Sequence, residues 1–77
     1  MLSFIIRLAE EFQREHGMRP NLLYMNERHV AHLRDGFDER YDLSAIMNML
    51  EMEILIDDGV VHPRVAWAPL VAAKRAV

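Results

Sequence analysis

The chain has no cysteine and no threonine, only two serines, and three each of glycine and proline among its 77 residues. Without cysteine there is no disulfide, no thiolate nucleophile and no sulfur-ligated zinc or iron–sulfur centre. The glycines stand apart, at Gly17, Gly36 and Gly59. A glycine-rich phosphate loop or dinucleotide fingerprint is therefore missing. Long apolar runs are missing as well. Val65–Ala73 is nine residues with Pro69 inside it, and Met1–Ile6 runs straight into Arg7, Glu10 and Glu11. Neither a bilayer span nor a signal peptide is expected from such segments, and a soluble, cytoplasmic protein with no membrane partner fits them best.

What is present is a folding composition, 52% hydrophobic and 27% charged. The length suits one domain, residues 1–77. Nine Lys and Arg against twelve Asp and Glu give a formal charge of -3. That balance argues against a nucleic-acid partner. So small a chain exposes much of itself even when folded. Its high apolar content, with no disulfide to help, points to self-association or to another protein as partner.

Periodicity divides the chain into six elements. Leu2, Ile5, Leu8, Ala9 and Phe12 recur at helical spacing, which predicts a helix over 3–16. Ser3 is placed to cap it and Gly17 to end it. Phe4 and Ile6 widen the apolar face and leave an edge for a partner subunit. After Pro20-Asn21, Leu22-Leu23-Tyr24-Met25 reads as a short buried strand. Asn26 is a strong cap for a helix over 27–35, anchored by Val30 and Leu33 and ended at Gly36. Asp42 caps a third helix over 43–50 with Leu43, Ile46, Met47 and Leu50 on one face. Met52, Ile54 and Ile56 then alternate with Glu53 and Leu55, the period of a strand. Asp58-Gly59 predicts a two-residue hairpin loop with positive φ at both positions. A returning strand over 60–67 follows, bent or at an edge because Pro63 lacks a donor. For 70–77, a short helix, an edge strand and a subunit contact all fit. The expected architecture is a two-layer α/β domain in the order helix–strand–helix–helix–strand–strand. Its small sheet has about three strands, ends in a C-terminal hairpin, and carries two or three helices on one face.

Several residues have the types that carry chemistry. His29, His32 and Asp35 follow one another at three-residue spacing on a predicted helix, a pattern that can chelate a metal. Asp57, Asp58 and His62 cluster around the predicted turn and can do the same. Glu51 and Glu53 share a strand face and so form a carboxylate pair. In each case a solvated helix flank, a turn or a strand edge explains the residues more simply. Ser44 is not set in a nucleophile elbow. Arg14, Arg19 and Arg28 are interleaved with acidic residues, which spoils a nucleic-acid platform. Phe4, Tyr24, Trp67 and Leu70 are the candidates for an interface, since aromatic and apolar anchors supply rigid contact area. Met25, Met47, Met49 and Met52 add adaptable apolar surface.

The run Asn21-Leu22-Leu23-Tyr24-Met25-Asn26-Glu27-Arg28-His29-Val30-Ala31-His32-Leu33 resembles a segment of the tailed-phage major capsid protein family. In that family a strand ends in Asn and leads to a helix with a later Leu, which Asn26 and Leu33 match. Glu27 departs from the Pro that often follows the Asn. Met52–Ile56 followed by 60–67 is similar to the family's next strand pair, so the resemblance covers about residues 21–68. It implies a small α/β module with an assembly role and brings no catalytic residues.

The expected function is a non-enzymatic interaction or assembly module, most simply a homodimer, with no catalytic residues, metal ligands or cofactor. The alternatives are a small metal-binding protein or enzyme using the His and Asp residues above, and an acidic regulatory protein touching nucleic acid.

Overall fold

A computed structural model describes residues 1–69 of the chain. Its elements are α1 (Leu2–His16), β1 (Leu22–Met25), α2 (Glu27–Asp35), α3 (Leu43–Leu50), β2 (Glu53–Ile56) and β3 (Arg64–Ala66). This is the expected order of helices and strands in a small α/β domain with a three-stranded sheet. Residues 70–77, and with them Leu70, lie outside the described residues.

The sheet order is β2-β1-β3, with β1 parallel to β2 and antiparallel to β3. The most apolar strand takes the centre of the sheet. Leu22, Leu23 and Met25 of β1 are all buried. Leu23 and Met25 share a core with Ile5 of α1, Val30 and Leu33 of α2, Ile46 of α3, and Met52. Ile54 and Val65 pack against it from the flanking strands.

The C-terminal strand–turn–strand forms where the sequence placed it, and β2 and β3 run in opposite directions. They do not bond to each other, because β1 lies between them. That separation changes the turn. A strand's width cannot be crossed by a two-residue loop, so the connection runs from Asp57 to Pro63. The chain reverses at Asp57, whose carboxylate accepts the Gly59 N–H (2.9 Å) and whose carbonyl accepts the Val60 N–H (3.2 Å). Neither Asp58 nor Gly59 has a positive φ. Bending through the buried Pro63 shortens β3 to three residues.

Other boundaries follow local chemistry. α1 begins one residue before Ser3, with Met1 at the cap position and no side-chain cap bond. Ser3 lies inside the helix and does not cap it. Gly17 closes α1 at φ 75°, donating its N–H to the Gln13 carbonyl at 2.8 Å. Asp42 caps α3 by accepting the Ala45 N–H at 2.8 Å. α3 ends at Glu51, which takes the left-handed conformation at φ 59°. Glu51 is therefore a helix stop and not a strand residue, so it does not share a strand face with Glu53.

Candidate functional site

α1 has two apolar sides. One, carrying Ile5 and Ala9, enters the core. The other, carrying Leu2 and Ile6 one turn apart, looks across at the end of α3. Between them lies a depression of about 190 Å³, lined by Leu2, Ile6, Ala9, Arg19, Phe37, Met49, Leu50 and Met52. Ala9 and the buried Met52 make its floor. Leu2, Ile6 and Met49 stand on its rim, 38%, 46% and 60% exposed. Arg19 is the one charged lining residue, and its guanidinium donates to Gln13 Oε1 at 3.1 Å. The groove is thus an apolar slot with a basic group at its edge. Thioether side chains reshape at low cost, so Met49 and Met52 let the slot adapt to what enters it.

A larger and more open depression of about 560 Å³ sits beyond the end of α2, lined by Ala31, Arg34, Asp35, Phe37, Asp38, Glu39 and Tyr41. The Phe37 and Tyr41 rings meet edge to face at 6.0 Å. Its charges are of both signs. The backbone N–H of Arg40 and then its guanidinium hold the Asp38 carboxyl below the usual carboxylate range. The pair is exposed to water, so it orders the loop more than it stabilises the fold.

The polar candidates are held in structural roles. His29 is bound into the start of α2: its Nδ1 accepts the Asn26 N–H (3.1 Å), while its own N–H donates to Asn26 Oδ1 (2.9 Å). His32 and Asp35 are exposed on the same helix. Asp57 is held by the Gly59 N–H, and Asp58 shares an open depression with Asn26, Glu27 and Arg28. Among the described residues, no three His, Cys, Asp or Glu side chains are grouped to hold a metal ion. Ser44 is exposed in the first turn of α3. Arg19 and Arg28 line different depressions, so they do not build one basic surface together. Among the described residues, no helix is long and apolar enough to cross a membrane.

Of the interface candidates, Phe4 is 41% exposed on α1, two residues round the helix from Ile6. Tyr24 is half-buried in the central strand, beside Leu55 and Arg64. Trp67, just past β3, is 42% exposed. The three do not join the groove lining. The signal for the groove was in the sequence as two short spacings, Leu2–Ile6 and Met49–Met52, but their convergence depends on how α1 meets α3.

Asn21, which follows Pro20 just before β1, is the one buried polar residue among the described ones. Its side chain accepts the Ala68 N–H (2.8 Å) and donates to the Ala68 carbonyl (2.9 Å). Its backbone donates to Ala66 and accepts from Glu53, each at 2.9 Å. Asn21 thereby fastens the start of β1 to both neighbouring strands. No known family pattern, curated protein or solved structure matches the chain.

Proposed function

We propose that this protein is a non-enzymatic assembly module that joins a second copy of itself through the groove between α1 and α3. The observation that carries this reading is the groove itself. It has an apolar floor and rim, a methionine-rich lining and large side chains left half in water. Removing such surface from water is favourable at about 25 cal/mol per Å². A ridge of apolar side chains from another helix is the natural occupant of a slot of this kind. The exposed face of α1 supplies such a ridge on every copy. The likeness of residues 21–68 to a capsid segment points to the same class of function, assembly. Light scattering over rising protein concentration tests the reading. A mass approaching that of two chains supports it, and the Ile6→Glu variant should stay at one chain. A single-chain mass at every concentration would retire the self-assembly reading.

A further inference from the structure

The start of α2 departs from the usual helix cap. In a capping box the third helical residue is Glu or Gln, whose oxygen accepts the N–H of the cap residue at any pH at which the protein is folded. Here that position is His29, and the acceptor is Nδ1 of its imidazole, 3.1 Å from the Asn26 nitrogen. A backbone N–H only donates, so Nδ1 must carry a lone pair and the ring proton sits on Nε2. A second proton removes that acceptor. It also places a positive charge at the positive end of a helix. Asn26 links this cap to a distant part of the chain, since its side-chain amide donates to the carbonyl of Val60, in the β2–β3 connection, at 3.0 Å.

We propose that His29 makes the start of α2 a proton-operated latch, closed on Asn26 when the imidazole is neutral and opened when it is protonated. Charged groups come to this end of α2 from its own helix and from the connection after β2. On its own helix are Glu27, Arg28, His32, Arg34 and Asp35. β1, which packs on α2, brings no titratable group but Tyr24. The connection after β2 carries Asp57, Asp58 and His62; Asp57 is engaged with Gly59, and Asp58 shares its depression with Asn26, Glu27 and Arg28. The inference stands apart from the groove and does not depend on assembly.

The test compares the wild type with His29→Gln, which keeps an acceptor that does not titrate. Both are unfolded by urea at roughly pH 8 and pH 5, the range in which imidazoles change charge. The two should be similarly stable at the higher pH. At the lower pH the wild-type unfolding constant should rise about five-fold relative to the variant, the worth of a typical helix cap. The comparison cancels the contributions of His16, His32 and His62. Nitrogen NMR of the wild-type imidazole gives a second reading that needs no variant. It should find Nδ1 of His29 unprotonated at the higher pH. A wild-type to variant ratio that does not move with pH, or a proton on Nδ1 at the higher pH, overturns the latch.

Discussion

Ile5 and Ile6 are the same residue, side by side on one helix, and they live in different surroundings. Ile5 is fully buried among Leu23, Met25, Leu33 and Ile46, whereas Ile6 is 46% exposed on the rim of the groove. A step of one residue turns a helix by about a quarter-turn or slightly more. The first isoleucine therefore meets the sheet and the second meets the gap between α1 and α3. The difference teaches that the apolar face of α1 is wider than its own core needs. The surplus is surface for something else.

Substitution sharpens that contrast. Ile5→Ala leaves a cavity in a closed core and should cost about 2–5 kcal/mol in urea or thermal unfolding. Ile6→Ala should cost less than about 1 kcal/mol in the same assay, because its side chain is already half in water. Equal losses at the two positions would mean that the rim of the groove belongs to the core.

Asn21→Ala is next in size. It removes two hydrogen bonds to Ala68 and leaves part-buried backbone groups without their partner. A loss of about 1–3 kcal/mol is expected, with faster amide exchange at Ala68. The effect should leave self-association of the folded fraction unchanged, since Asn21 does not line the groove.

Glu51→Gly runs the other way. Glu51 holds φ 59°, which costs a residue with a β-carbon about 1–2 kcal/mol. Glycine relieves that strain but gives up about 0.4–1 kcal/mol through greater freedom in the unfolded chain. A net gain of about 0.5–1 kcal/mol in denaturant unfolding is expected.

The elements were legible where short-range chemistry decides them. Asn26 and Asp42 are caps, Gly17 is a left-handed stop, and the spacing of Val30 and Leu33 marks the inner face of α2. All of these depend on neighbours within a turn or two. Strand pairing was not legible. Asp58-Gly59 is a strong hairpin signal, yet the preference of Leu22-Leu23-Tyr24-Met25 for the central position separated the two strands it joins. The sequence gives no local sign of that competition. The groove escaped for the same reason, since Leu2 and Met49 are far apart in the chain and meet only through the tertiary fold. The spacing of His29, His32 and Asp35 suits a metal ligand, but His29 binds the backbone instead. The three-residue spacing from Asn26, which marks a capping box when the second residue is Glu or Gln, is the local sign of that bond.

The most direct test of the account is methyl NMR on dilution of the wild-type protein. If the groove is the contact between copies, the methyl signals of Ile6, Leu2 and Met49 should shift together as the protein is diluted, while those of Ile5 and Leu23 stay in place. Signals that stay fixed throughout, or shifts confined to the surroundings of Trp67, would contradict it.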